Sequence, residues 1–230
     1  MSDDALLATI RGKLFTSVIG DVMDALGFTR QFLPPGIRAL DPAAVLAGRA
    51  MPVQEADLDG MGEAGEAGET GEAGRQPFGL MLQALDDLRA GEVYVCTGAS
   101  PRYALWGGLM STRAQSLGAA GAVLDGFHRD TREIQALGFP VFSAGAYAQD
   151  QRRRGRVVDF RCRITFANGT VVAPGDVIVG DIDGVLAIPA AAAGEVVRLA
   201  AEKVAGEEAV RRMILAGEST ASVFRRTGIM

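Results

Sequence analysis

Cysteine is scarce, with Cys96 and Cys162 the only two in the chain. Both sit in strand-like runs, "VYVCTG" and "DFRCRI", which suits reduced, packed thiols, excludes a disulfide-built scaffold, and makes the cytoplasm the expected setting. Histidine is scarcer still. His128 stands alone, so no histidine and cysteine zinc constellation can be assembled around it. Positive charge is not in excess: 23 Lys and Arg against 28 Asp and Glu give a formal net charge of -5, with a pI near 5.0. A broad positive field for phosphate backbones is therefore lacking, and nucleic acid drops out as a general partner. A small anion at a locally basic site does not. No run approaches the ~18 consecutive apolar residues of a membrane span. "MSDDALLATIRGKLF" places acids ahead of its apolar residues and lacks a long hydrophobic core, unlike a signal peptide. No membrane partner is expected.

The 230 residues, 48% hydrophobic, predict one domain with a substantial core. "TSVIGDVMDALG" carries Val18, Ile19, Val22, Met23 and Leu26 at helical spacing, with Thr16 or Ser17 as the cap and Gly27 as the stop. "GEAGEAGETGEAG", residues 62–74, is a low-complexity tract without bulky apolar residues, read as a mobile acidic insertion. Beyond it the pattern alternates. "PFGLMLQALDDLRAGE" predicts a helix, "VYVCTG" a strand, "GGLMSTRAQSLGAAG" a helix, "AVLDG" a strand, and "DTREIQALG" a short helix before the strand "FPVFS". "RVVDFRCRITF" and "TVVAPGDVIVGDIDGVLAIP" predict hairpin-like strands, closed by a long helix from about Ala190 to Gly217. The fold class is α/β with a partly parallel sheet. "RAGEVYVCTG" and "APGDVIVGDIDG" share one pattern of turn, acid and strand, which points to similar strand entries.

Charge gathers in "LDGFHRDTREI", directly after the apolar run "GAAGAVL". In α/β proteins ligands bind beyond the carboxyl ends of strands, and this is such an end. Arg129 offers a planar fork for a carboxylate or enolate oxygen, and Asp130 a hard oxygen ligand for Mg²⁺ or Mn²⁺. The competing reading makes both polar residues at a helix start, with Asp130 as its N-cap. His128 has no metal constellation, and Asp125 and Glu133 are either supporting groups or solvated charges. One strand earlier, Gly107 and Gly108 in "WGGLMSTRAQSLG" open a helix whose bare N–H groups can approach an anion.

"GGLMSTRAQSLGAAGAVLDGFHRDTREIQALGFPVF" followed by "PGDVIVGDIDGVLAIP" resembles the RraA-like family, which holds the regulator of ribonuclease activity A and the 4-hydroxy-4-methyl-2-oxoglutarate aldolases. The resemblance runs from "LFTSVIGDVMDALG" to the C-terminal helix. It implies a single α-β-β-α swivelling-domain sandwich over residues 1–230, assembled as a homotrimer or hexamer. It also implies that Gly107, Gly108, Leu109, Met110 and Arg129 contact substrate, that Arg129 and Asp130 are catalytic, and that Asp130 binds Mg²⁺. Glu207, with Glu208 as the fallback, matches a glutamate that approaches the metal of an adjacent subunit. Many members carry an acid where this chain has Gly108.

The activity implied is a class II pyruvate aldolase acting on 4-hydroxy-4-methyl-2-oxoglutarate or a related 4-hydroxy-2-oxo acid, with oxaloacetate decarboxylation as a companion, since both reactions leave the pyruvate enolate. No lysine lies in the motif, which counts against a Schiff-base aldolase. The glycines form no "GxGxxG" after a strand, which counts against a methyltransferase. The rival reading is a non-enzymatic regulator of ribonuclease activity that binds another protein.

Overall fold

The computed structural model describes residues 2–58 and 77–229. The tract at 62–74, read above as an inserted loop, lies outside the described residues. In chain order the helices are α1 (Asp3–Lys13), α2 (Thr16–Ala25), α3 (Met81–Asp86), α4 (Gly108–Ser116), α5 (Thr131–Leu137), α6 (Ala193–Leu215) and α7 (Thr220–Thr227). The strands are β1 (Arg38–Ala39), β2 (Leu46–Asp57), β3 (Glu92–Thr97), β4 (Ala104–Trp106), β5 (Gly121–Leu124), β6 (Phe127–His128), β7 (Val141–Ser143), β8 (Gly145–Ala146), β9 (Gly155–Phe160), β10 (Ile164–Thr165), β11 (Val171–Val172), β12 (Val177–Asp181) and β13 (Gly184–Ile188).

The main sheet runs β1-β7-β5-β3-β2-β12-β13, with β9 branching onto β2. Its β2-β3-β5-β7 half is parallel, and its β2-β12-β13 half antiparallel. Side chains alternate along each strand, and the sheet sorts them into three apolar clusters. Val93, Val95, Val123, Ile178 and Val185 point inward with Leu46 and Phe142, filling the space that the curled, nearly closed sheet encloses. Outward-facing Tyr94, Cys96 and Leu124 pack with Leu85, Ala114 and Ile134 from α3, α4 and α5. Outward-facing Val177, Val179, Leu186 and Ile188 pack with α1, α2 and α6. Two sheet halves face each other with helices outside both, which is the expected α-β-β-α order. Strands buried on two faces read as continuous apolar runs, and each fully buried Val, Ile or Leu contributes roughly 1.5–3 kcal/mol.

The shared pattern of "RAGE" and "APGD" corresponds to one shared turn. Glu92 accepts from the Arg89 N–H at 2.9 Å and Asp176 from the Ala173 N–H at 2.8 Å, and Gly91 and Gly175 take positive φ of 78° and 84°. The strands that follow flank β2 on its two sides.

Several elements depart from the sequence reading. The helix expected over 77–92 is only Met81–Asp86, because the Leu80 N–H bonds to the Val157 carbonyl and the Val157 N–H to that of Phe78. Residues 78–80 thus pair with β9. "RVVDFRCRITF" breaks at Arg161, whose φ of 54° lets its guanidinium reach Asp87 and Glu92. The α2 cap is neither Thr16 nor Ser17. Asp181, at the end of β12, accepts from the Thr16 N–H and hydroxyl, both at 2.7 Å. Helix α1 begins under a Ser2 cap, and α7 follows the closing helix; neither was anticipated as a separate helix. Among the described residues, no helix is long and apolar enough to cross a membrane.

Candidate active site

Strands β4, β6 and β8 form a separate small parallel sheet. Gly107–Gly108 leave the carboxyl end of β4, Arg129–Asp130 that of β6, and the segment running to Asp150 that of β8. Charge gathers in "FHRD" because three strands end side by side there. The Arg129 N–H bonds to the Trp106 carbonyl at 2.9 Å and the Tyr147 N–H to that of His128 at 2.8 Å. Trp106 supports the turn from below. Buried between Tyr94 and Phe139, it donates its indole N–H to the Ser111 hydroxyl at 2.6 Å, and that hydroxyl donates to the Gly107 carbonyl at 3.2 Å.

Asp130 has a left-handed backbone, φ 59° and ψ 38°, and stands at the N-cap position of α5 without capping it. Its Oδ2 accepts instead from the Gly108 N–H at 3.0 Å, at the start of α4. The N-cap alternative is corrected: the carboxylate serves the neighbouring helix, and a non-glycine residue holds a conformation that costs about 1–3 kcal/mol. A Cβ on Gly107 would stand 2.7 Å from this Oδ2, and one on Gly108 would collide with Oε2 of Glu133. Both glycines are therefore required for close approach of carboxylates. Arg129 Nε lies 3.7 Å from Asp130 and its Nη1 3.2 Å from Asp150. Asp150 was missed by the sequence reading, because only the pairing of β8 with β6 brings it near.

Of the four glycine-stretch positions, Gly107 and Gly108 meet the Arg129–Asp130 turn. Leu109 projects into solvent, 84% exposed, and Met110 packs toward the core. His128 is buried, its Nδ1 2.7 Å from the Ser143 hydroxyl and its Nε2 3.1 Å from that of Thr131. Burial lowers its pKa. It pins β6 between β7 and the start of α5, and so helps to fix the turn. Asp125 accepts from the Thr97 hydroxyl at 2.7 Å and ties two strand ends together.

Glu207 lies on α6, which packs on the β12–β13 half, while α4 and α5 pack on the other. The structure does not bring it together with Asp130 in one chain. Glu208 pairs with Arg212 at 3.7 Å. Among the described residues, no three His, Cys, Asp or Glu side chains cluster as a ready metal site. Next to Asp150, Gln151 donates to Glu55, a carboxyl that burial, and secondarily Asp57, pushes up to about 8.

Comparison with known proteins agrees with this fold. The RraA-like family, described as Aldolase/RraA, matches residues 16–187. An uncharacterized protein of Methanocaldococcus jannaschii is 34% identical over 120 residues, 52% of this chain and 57% of its own length. A Halalkalibacterium halodurans protein named for 4-hydroxy-4-methyl-2-oxoglutarate aldolase activity is 32% identical over 201 residues, 86% of this chain and 84% of its own. A solved Streptomyces coelicolor structure, described as an unusual member of the RNase ES inhibitor RraA protein family, superposes with a TM-score of 0.76 at 23% identity. It covers 91% of this chain and 97% of its own, and it shows the fold.

Proposed function

Because this chain belongs to the RraA-like, Aldolase/RraA family, we propose that it is a divalent-metal-dependent lyase cleaving a 4-hydroxy-2-oxo acid to pyruvate. 4-Hydroxy-4-methyl-2-oxoglutarate is the leading substrate, and oxaloacetate decarboxylation the companion activity. One observation carries the reading: the Gly108 N–H, Asp130 and Arg129 converge at the open ends of three parallel strands.

The donor set suits a hard cation. The Arg129 guanidinium faces Asp130 and Asp150, and Glu133 stands beside Gly108, so carboxylate oxygens gather where an anionic keto acid would meet the arginine. Mg²⁺ and Mn²⁺ bind through one or two carboxylates while keeping most of their waters, which fits the half-exposed Asp130. Asp130 would hold the ion, with Glu207 of a second copy of this chain as a further oxygen donor. Glu207 and the exposed Leu109 are thereby accounted for by a homotrimeric ring or a hexamer of two rings. When bound, the ion supplies Lewis-acid polarisation of the 2-oxo group.

The protein's own residues do the rest. Arg129 donates to the substrate carboxylate or to the oxygen that gains charge as the enolate forms, and Asp150 and Asp130 hold its fork in place. Gly107 and Gly108 let the substrate approach the start of α4. In the aldol cleavage the C3–C4 bond breaks and its electron pair stays on C3 as the enolate. The C4 hydroxyl becomes a carbonyl by giving up its proton, and a proton is returned to C3 to complete pyruvate. Oxaloacetate reaches the same enolate by losing carbon dioxide. A cytosolic setting accords with two unpaired thiols.

The test is pyruvate release by purified protein from both substrates, after chelation and again after addition of Mg²⁺ or Mn²⁺. Metal-restored release supports the reading. No release from either substrate with either metal would overturn it and leave the protein-binding regulator as the better account.

A further inference from the structure

Gly108 opens the nine-residue helix α4 with an ordinary backbone, so no positive φ calls for glycine here. Its importance lies in what occupies the vacant side-chain space. The three nearest heavy atoms to a Cβ placed on Gly108 all belong to Glu133: Oε2, which it would strike, then Cβ at 3.1 Å and Cδ at 3.2 Å. Glu133 projects from the first turn of α5 across to the start of α4. Its carboxylate has no hydrogen bond or ion pair among the described residues, whereas Asp130 beside it is engaged by Gly108 and Arg129. A carboxylate kept free at the mouth of a site, in a space opened by a missing side chain, is an acceptor available to a ligand.

We propose that Gly108 and Glu133 act as a pair, the glycine admitting the Glu133 carboxylate so that it accepts the C4 hydroxyl of the substrate. Resting on the aldolase reading above, this makes Glu133 a specificity-determining residue. A 4-hydroxy-2-oxo acid presents a hydroxyl donor at C4, and oxaloacetate presents a carboxylate. Glu133 favours the first by a charge-assisted hydrogen bond to the C4 hydroxyl, a donor that oxaloacetate lacks.

The experiment is a double-mutant cycle of Glu133→Gln and Gly108→Ala, read as kcat/KM for 4-hydroxy-4-methyl-2-oxoglutarate and for oxaloacetate, with thermal melting on each variant. Loss of a hydrogen bond to a charged group corresponds to about tenfold to a hundredfold. Glu133→Gln should lower kcat/KM for the hydroxy acid by that factor and leave oxaloacetate unchanged. Gly108→Ala should lower the ratio of the hydroxy acid's kcat/KM to that of oxaloacetate by the same factor, because it displaces Glu133, with the protein still folded by thermal melting. The double variant should match Glu133→Gln alone. Equal losses on both substrates, losses that multiply in the double variant, or unchanged selectivity would each overturn the pairing even with an active wild type. A wild type that releases no pyruvate from either substrate overturns the aldolase reading and the pairing with it.

Discussion

Arg129 shows how much of a site one residue type can carry. Its planar fork reaches Asp150 at 3.2 Å and stays within 3.7 Å of Asp130, a geometry that a point charge on a flexible stem does not reproduce. Arg129→Lys should therefore leave metal affinity near wild type. Both kcat and kcat/KM for oxaloacetate at saturating Mg²⁺ should fall by roughly two orders of magnitude, as for a lost oxyanion donor; steady-state kinetics that match wild type would remove Arg129 from the chemistry. The Arg129–Asp130 pair and the glycines were legible as candidates because charge and paired glycines follow apolar runs directly, and the resemblance to the RraA-like family singled them out. Asp150 and the reach of Glu133 were not. One depends on the pairing of β8 with β6, the other on an atom-level fit between two helix starts, and neither leaves a spacing signal. His128 was legible only as an oddity, and its two hydroxyl partners, Ser143 and Thr131, explain it as a brace.

Elements followed the sequence where periodicity alone decides them. The strands β3, β5 and β12 and the helices α2, α4 and α6 fall where their apolar patterns predict. Mismatches arise where a distant group takes over a local one. β9 captures residues 78–80 and shortens α3, and Arg161 breaks a long strand to reach Asp87 and Glu92. Asp181 is the sharpest case, since a residue far along the chain caps α2 by accepting from the Thr16 N–H and hydroxyl, and accepts from the Asp183 N–H as well. Asp181→Ala should destabilise the fold by about 1–3 kcal/mol, the range for a lost cap whose donors become unpaired. Chemical denaturation checks this, and a midpoint equal to wild type would show that the helix start is satisfied otherwise.

At the scale of the whole molecule, one buried acid sets a pH dependence of stability. Glu55, 2% exposed on the bulged part of β2, lies close to Asp57, Tyr94 and Cys96, whose own titrations it perturbs or is perturbed by. Its carboxyl is raised from 4.5 to about 8, so the folded chain holds this proton more tightly than the unfolded one. The contribution is fully present below pH about 4.5, falls as the unfolded chain ionises, and is lost by pH about 8, a span on the order of 5 kcal/mol. Glu55→Gln should flatten that part of the decline in melting temperature between pH 5 and 8, and a parallel decline in wild type and variant would contradict it. The site itself lies at the carboxyl ends of the separate β4-β6-β8 sheet. Its most direct test is pyruvate release by Asp130→Ala after chelation and addition of a defined Mg²⁺ concentration, with circular dichroism and assembly state as controls. A folded, correctly assembled protein with no metal-dependent release is expected; a variant that releases pyruvate at the wild-type rate would contradict the role given to Asp130.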